Sequence, residues 1–184
     1  IGITLGYLVS KSKKINFILS PFIIAAQTTP KLALAPLFLI WFGFGIVSKI
    51  LITALVVFFP IFVNTVVAIK YINPSLKELM KLVHANKWQR FIKLEVPSSL
   101  PMVFAGLKSG ITLAVVGAVV GEFVGASAGL GYLIIFGTGQ LNTEIVFTAI
   151  IQLVIIGIIF YELVSAIGSL LMKWHHSEKE DSLY

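Results

Sequence analysis

The chain contains no cysteine among its 184 residues, and it has few charged side chains of either sign. The absence of cysteine excludes a disulfide framework, a thiol nucleophile and a cysteine metal site. Charged residues make up 12% of the chain, whereas hydrophobic residues make up 58% and the mean hydropathy is +0.99. This composition is typical of an integral membrane protein and not of a soluble domain.

The sequence motifs of common active sites are also missing. No GxxxxGK[ST] phosphate loop, no HExxH and no GxSxG occurs, so the chain has no ATP site of that kind and no recognisable hydrolase or metalloprotease site. The adjacent pair His175 and His176 would point in different directions on a helix, which disfavours a metal site. We therefore expect no enzyme activity, no cofactor and no nucleic-acid partner in this chain.

Four long apolar runs predict helices that span a bilayer, since a hydrocarbon core of about 30 Å needs about 20 residues at about 1.5 Å each. A shorter run, Ile1–Val9, is predicted to be the end of a helix whose beginning is missing. The Gly-rich stretch 125–142 is expected to re-enter the membrane edge or to lie along it. The chain thus predicts one all-α polytopic membrane domain, 1–184, with spans at 18–42, 46–69, 100–123 and 145–172 and a charged tail at 173–184.

The remaining segment, residues 73–98, is polar and is named here the polar hairpin. Its first half predicts a helix, because Ser75 followed by Glu78 has the spacing of a capping box. Four apolar residues then recur at the spacing of one helix face. They are Leu76, Leu79, Met80 and Val83.

A second short helix is predicted in the other half of the polar hairpin. Asn86 followed by Gln89 repeats the capping spacing, and Trp88, Phe91, Ile92 and Glu95 continue the helical period. Pro97 and Pro101 are expected to end the segment, because proline lacks an amide hydrogen and disfavours helix before it. A hairpin this polar, joined to apolar runs at both ends, predicts a docking element outside the membrane.

The positive charges indicate which side of the membrane the polar hairpin occupies. Lys and Arg collect in cytoplasmic loops, and 11 of the 14 fall on one side if the spans alternate. That side holds the KSKK loop at 11–14, Lys70, the polar hairpin and the tail, which predicts that the loop, the hairpin and the tail are all cytoplasmic. The opposite loops, 43–48 and 125–142, contain no Lys or Arg.

The third apolar run carries glycines at four-residue spacing, with an acid near its end. This spacing allows close helix packing in lipid, and lining of a conduit is the alternative. Glu122 is expected either to face the conduit or to cap a helix end, since an acid in an apolar run needs a polar partner. Lys31 either lines a path or extends to the interface. The glycines are Gly106, Gly110, Gly117, Gly121 and Gly125.

The polar hairpin resembles the EAA loop of ATP-binding-cassette importer permeases, whose pattern is Glu-Ala-Ala, three residues, Gly, nine residues, Ile-x-Leu-Pro. The spacing from Glu78 to Pro97 fits this pattern without a gap. The segments TPKLALAPLFLIWFGFG from Thr29 and GEFVGASAGLGYLI from Gly121 are similar to the nitrate/sulfonate/taurine branch, which includes permeases for thiamine precursors. Such permeases usually have six spans, which implies an N-terminal truncation here.

This chain departs from the family pattern in the Glu-Ala-Ala triplet and at the glycine. Leu79 and Met80 replace the two alanines, and His84 replaces the glycine. Glycine permits a left-handed turn that histidine adopts less readily, so the departure puts the tightness of that turn in question.

The resemblance implies a partner-driven mechanism. Two permease chains would form the pathway as a homodimer, an extracytoplasmic solute-binding protein would deliver the cargo, and cytoplasmic ATPase subunits would bind the ATP. Leu79, Met80 and Val83 would anchor the coupling helix in an ATPase groove, with Glu78 and Lys81 at its rim. The other residues that the resemblance assigns to coupling are His84, Ala85, Trp88, Arg90 and Pro97.

Two other classes of membrane protein remain as alternatives. An ion-coupled secondary transporter would also use broken helices and intramembrane charges, but it needs no large basic hairpin. A non-transport scaffold would explain the spans but not the capped double helix between them. The cargo, whether an anion such as nitrate or a sulfonate or a neutral heterocycle, is left open by the sequence.

Overall fold

A computed structural model describes residues 1–172, so the predicted tail, with Trp174, His175 and His176, lies outside the described residues. Every regular element within 1–172 is helical, and the expected all-α membrane fold is confirmed. The α-helices are α1 Gly2–Lys11, α2 Lys13–Thr28, α3 Ala35–Phe42, α4 Ile46–Lys70, α5 Pro74–Leu82, α6 Lys87–Arg90, α7 Val96–Phe123, α8 Leu130–Gly139 and α9 Thr143–Leu171. A 3₁₀ turn, Lys31–Leu34, precedes α3, and a π-helical turn, Phe91–Glu95, joins α6 to α7.

Three helices are long and apolar enough to cross a membrane. They are α4, the continuous helix from Lys87 to Phe123, and α9. The predicted span 18–42 is instead a bent pair, in which the helix ending at Thr28 meets the segment Lys31–Phe42 at 76°. Counted together, this pair brings the number of spans to four.

The break in the bent pair falls at Pro30, which has no amide to continue the helix. A helix end leaves carbonyl groups without partners, and these are costly in an apolar environment. Here side chains add hydrogen bonds to two carbonyls of the last turn, one of which, that of Ala25, also accepts from the Thr29 amide. Thr29 Oγ1 donates to the Ala25 carbonyl at 2.9 Å, and Lys31 Nζ donates to the Gln27 carbonyl at 2.9 Å. The helix end before Pro30 is therefore stabilised by side chains on both sides of the proline.

The centre of the described bundle is the pair α4 and α7, with α1 packed on the other side of α4. Glycines allow the close approach in both interfaces. A Cβ on Gly106 would lie 2.8 Å from Asn64 Cβ, and one on Gly6 would lie 2.8 Å from the Phe62 carbonyl oxygen. Contacts this short exclude any larger residue without movement, which explains why α4 accepts a helix on each side.

Helix α9 completes the bundle by packing against α7, and the short helix α8 packs against both. Glu122, near the end of α7, fixes α8 in place, because its Oε2 accepts a hydrogen bond of 2.7 Å from the Gly131 amide in the first turn of α8. A carboxylate at a helix N-terminus satisfies a free amide and complements the helix dipole. The helix-capping alternative for Glu122 is the one that this contact supports.

Candidate functional site

The polar hairpin and α8 lie at opposite ends of α7. The hairpin directly precedes α7, whereas α8 follows its last residue, and 28 residues of helix separate them by roughly 42 Å at 1.5 Å per residue. The hairpin is also exposed along most of its length. It therefore projects beyond one end of the spanning helices, as a docking element requires.

The first helix of the hairpin begins earlier than predicted. Its N-cap is Asn73, whose side chain accepts from the Ser75 amide at 2.9 Å, and Pro74 is its first residue. The capping box expected between Ser75 and Glu78 is therefore wrong: asparagine caps a helix about as well as serine, and Pro74 after it suits the first helical position. Glu78 is instead an exposed residue in the middle of α5.

His84 adopts the left-handed conformation that the family glycine would have, with φ of 49°. The turn closes with two hydrogen bonds, from the His84 amide to the Lys81 carbonyl and from the Ala85 amide to the Met80 carbonyl, each of 3.0 Å. These two bonds define a Schellman motif. The turn is therefore as tight as a glycine would make it, at the cost of an unfavourable backbone conformation.

The two sides of α5 have different surroundings. Met80 packs against a buried cluster formed by Ile69, Ile72 and Leu94 of the same chain. The opposite side carries Leu82, which is 76% exposed. Part of the Met80 side chain is therefore used in internal packing, and its role as an anchor for a partner stays a prediction.

An exposed apolar strip remains on α5, and it includes one residue that the sequence analysis missed. Leu82 follows Leu79 by three residues, and this spacing is the signal that places both on one helix face. We call this strip the outer strip; it consists of Leu76, Leu79, Leu82 and Val83. Glu78 and Lys81 are exposed beside it.

The second half of the hairpin has the capping box that the sequence predicts. The Gln89 amide donates to Asn86 Oδ1 at 2.8 Å and the Asn86 amide donates to Gln89 Oε1 at 2.9 Å. Trp88 is exposed and stacks on Phe91 with ring centroids 5.7 Å apart. The short helix thus presents an aromatic surface on the same projecting element as the outer strip.

Pro97 and Pro101 do not end the helix, contrary to the sequence prediction. Pro97 lies in the first turn of α7, where a missing amide costs little. The π-helical turn lies directly before it, and the Val96 amide donates to the Phe91 carbonyl five residues earlier. A proline ring clashes with the carbonyl four residues before it in a regular α-helix, and a wider turn is a way to accommodate it. The hairpin therefore continues into α7 as one helix.

A buried carboxylate, Glu95, connects the base of the hairpin to α1. It is 6% exposed and accepts hydrogen bonds from Tyr7 Oη at 2.8 Å and from Lys11 Nζ at 2.5 Å. These partners lie 88 and 84 residues away in sequence, so no local pattern could have identified them. The contact joins the polar end of α1 to the beginning of α7.

The charge on Lys11, beyond the apolar part of α1, is stabilised by this contact. Burial on its own lowers the pKa of Lys11, but the interactions with Glu95 and Tyr7 outweigh burial and raise the pKa above the usual lysine value. A raised lysine pKa adds stability below the unfolded pKa, which is lost only as pH rises through the folded value. The ion pair therefore contributes fully at neutral pH.

A gap separates α2 from α4 and contains three cavities. The basic cavity, of about 670 Å³, adjoins the polar hairpin and is lined by Lys11, Lys70, Lys77, Arg90 and Glu95 among others. The inner cavity, of about 550 Å³, lies where the bent pair meets Pro60 of α4 and is lined by Lys31 and Phe59 among others. A narrow groove of about 120 Å³ lies between α2 and α4 as well.

Lys31 and Arg90 both face this gap. Lys31 Nζ lies 4.6 Å from the centroid of the Phe59 ring, a cation–π contact on the wall of the inner cavity. Arg90 Nε is buried and has no hydrogen-bond partner among residues 1–172. Of the two sequence interpretations for Lys31, lining a path is the one that this position supports.

The glycines of α7 face α4 and not the gap. A Cβ on Gly110 would meet Val57 at 3.2 Å, one on Gly117 would meet Thr53 Cα at 3.0 Å, and one on Gly121 would meet Lys49 Cα at 3.3 Å. Gly125 lies beyond, against Phe44. Gly110, Gly117 and Gly121, together with Gly106, have the geometry of the helix-packing alternative.

Comparison with known proteins gives consistent matches over nearly the whole chain. A family model described as "Binding-protein-dependent transport system inner membrane component" matches residues 1–178. The chain is 41% identical over 159 residues to the riboflavin transport system permease protein RibX of Chloroflexus aurantiacus, covering 86% of this chain and 59% of that protein.

Two further relatives cover more of the chain. It is 38% identical over 178 residues to the formylaminopyrimidine transport permease protein ThiX of Halalkalibacterium halodurans, covering 97% of this chain and 71% of the relative. It is 34% identical over 177 residues to the putative aliphatic sulfonates transport permease protein SsuC of Bacillus subtilis, covering 96% and 64%. The chain thus spans roughly three fifths to seven tenths of the length of these relatives, and it belongs to the family of binding-protein-dependent transport system inner membrane components.

Proposed function

We propose that this chain is the membrane-spanning permease subunit of an ATP-driven importer for a small solute. It would form the translocation pathway with a second copy of itself, receive its solute from an extracytoplasmic binding protein, and take its energy from a separate cytoplasmic ATPase. The relatives are named for riboflavin, formylaminopyrimidine and aliphatic sulfonates. A small anionic or heterocyclic solute is the corresponding proposal for this chain.

The outer strip is the observation that carries this proposal. Leu79, Leu82 and Val83 are 52%, 76% and 63% exposed on a helix that projects beyond the spanning helices. Apolar residues gathered on a projecting polar element mark an interaction site. Glu78 and Lys81 beside the strip supply charges that fix the register of a partner at the rim.

The rest of the hairpin supports transmission of movement from this contact. Met80 packs the other side of α5 onto Ile69, Ile72 and Leu94, so the helix is held against its own chain. The helix from Lys87 to Phe123 is continuous. A displacement of the hairpin would therefore be passed to α7, the central spanning helix, as expected for coupling by rigid-body movement.

The test is to isolate the tagged chain from native membranes with its ATPase, and to compare the wild type with Leu82→Asp. Burial of a leucine contributes about 1.5–3 kcal/mol, and a buried unpaired charge adds a further penalty. Since about 1.4 kcal/mol is a tenfold change in affinity, the variant is expected to retain less than a tenth of the bound ATPase.

Leu141→Asp is the matched control, because Leu141 is 92% exposed and follows α8 at the opposite end of α7. It introduces the same charge at a leucine that is more exposed still and should leave ATPase binding unchanged. The proposal is refuted if no ATPase accompanies the wild-type chain, or if Leu82→Asp binds the ATPase as well as Leu141→Asp does.

A further inference from the structure

The three cavities between α2 and α4 share lining residues. Asn16 and Ser20 line both the basic cavity and the narrow groove. Gln27 and Val63 line both the narrow groove and the inner cavity. The three cavities therefore follow one another along the same pair of helices, from the base of the polar hairpin to the break at Pro30.

The side of α2 that faces this gap carries three polar residues, beside the apolar Phe17, Ile23 and Ile24. Asn16, Ser20 and Gln27 follow one another at intervals of four and seven residues, which places them on one face of a helix with 3.6 residues per turn. Ser20 Oγ donates to the Asn16 carbonyl at 2.7 Å. In a helix so apolar, polar residues on a single face indicate contact with water, a solute or a protein partner, not with lipid.

Positive charge is found at both ends of the gap. Lys31 lies in the wall of the inner cavity, and Lys70, Lys77 and Arg90 lie in the wall of the basic cavity. The acidic residue there, Glu95, is bound to Lys11 and Tyr7. A cleft lined by charges of one sign raises the local concentration of the opposite ion by about 10–10³-fold.

From these observations we infer that the gap between α2 and α4 is this chain's part of the cytoplasmic half of the solute path and that it favours anionic solutes. This inference rests on the proposed function for its direction of transport. The polar residues of α2 line one side of the gap, and the basic cavity is the mouth through which an anion leaves. Lys31 and the Phe59 ring form the inner end, where a solute with a negative group and a flat or apolar body has contacts for both.

The chain's lack of cysteine makes a direct test possible, because any introduced cysteine is its only thiol. Ser20→Cys places a thiol in the gap with almost no change of volume. Ile18→Cys is the control, since Ile18 lies about 200° from Asn16 around the helix axis and is 61% exposed on the other side of α2. Asn16→Cys is a second variant within the gap.

Each variant, in open membrane fragments that expose both faces, is treated with 2-sulfonatoethyl methanethiosulfonate and with its cationic trimethylammonioethyl analogue. The rate at which each reagent modifies a variant is divided by the rate at which the same reagent reacts with free cysteine, so that the two reagents can be compared. The anionic reagent should modify Ser20→Cys at least tenfold faster than Ile18→Cys, and at least tenfold faster than the cationic reagent does. Adding Lys77→Gln and Arg90→Gln should reduce the preference for the anionic reagent to less than threefold.

Equal, slow modification of Ser20→Cys, Asn16→Cys and Ile18→Cys would overturn the inference, because a gap filled by lipid gives that result. Faster modification by the cationic reagent would overturn the anionic preference. The test needs neither ATP nor a partner protein. If the cysteines in the gap are modified as expected but the chain binds no ATPase, the proposed function is refuted and the inference about the gap is not. If the chain binds the ATPase but these cysteines are not modified, the inference about the gap is refuted and the proposed function is not.

Discussion

Replacement of Glu95 by glutamine tests whether the contact between α1 and the base of the polar hairpin stabilises the bundle. Glu95 is 6% exposed and holds Tyr7 and Lys11 at hydrogen-bond distance. Glutamine keeps the size of the side chain and its capacity to accept from Tyr7. What it removes is the negative charge opposite Lys11.

The magnitude follows from the exposure of the partners. A hydrogen bond to a charged group contributes about 1.5–3 kcal/mol, compared with about 1 kcal/mol for a neutral pair. The Lys11 side chain is 42% exposed, so water screens the ion pair and its own share is about 1 kcal/mol or less. Together these terms predict that Glu95→Gln lowers the free energy of unfolding by about 1–2 kcal/mol.

Thermal unfolding of the purified chain in lipid nanodiscs measures this loss, in a double-mutant cycle with Lys11→Met. The two single losses should exceed the loss in the double variant, with a coupling energy of about 1 kcal/mol. Glu144→Gln is the control, since Glu144 is an exposed acid at the start of α9 and its loss should cost no more than about 0.5 kcal/mol. Additive losses, or a Glu95→Gln effect as small as the control, would refute the reasoning.

Two further predictions concern the backbone. His84→Gly should relieve about 1–2 kcal/mol of left-handed backbone strain in the folded state, but it should also stabilise the unfolded chain by about 0.4–1 kcal/mol through added conformational entropy. The amide of Ala85 should then exchange its hydrogen about 2–5-fold more slowly. An unchanged exchange rate would contradict the strain at the His84 φ of 49°. Gly106→Ala, with its new Cβ 2.8 Å from Asn64, should destabilise the chain by about 1–3 kcal/mol in thermal unfolding. Gly157→Ala is its control, because the nearest atom lies at 3.7 Å, and equal losses would exclude close packing as the cause.

The sequence was sufficient for the features that depend on local pattern. The family, the all-α fold and the membrane location follow from hydropathy, from the spacing between Glu78 and Pro97, and from flanking segments, and the comparisons confirm them. The Asn86–Gln89 capping box was also predictable, because its two hydrogen bonds join residues three apart. Close helix packing at the glycines of α7 was also predictable as one of two alternatives, because it depends on their spacing within one helix.

The sequence was insufficient where the outcome depends on three-dimensional surroundings. The helix period gave Met80 and Val83 the same face, but only the fold shows that Met80 packs partly against Leu94 and that Leu82 is exposed. Pro97 has the properties of a helix terminator and also those of a first-turn residue. Which of these applies depends on the π-helical turn before it, and no sequence pattern predicts that turn.

The position of Glu95 gives a physical reason for a polar contact inside an otherwise apolar bundle. Packing between α1 and α4 is made by small and apolar residues, such as Gly6 against Thr65, and such contacts allow sliding along the helix axis. The hydrogen bonds from Tyr7 and Lys11 are directional, so they fix α1 relative to the beginning of α7. If the hairpin is moved by a partner, as proposed, α1 must therefore move with α7 or these bonds must break. A Glu95→Gln chain that keeps its ATPase but transports more slowly would be the functional sign of that constraint.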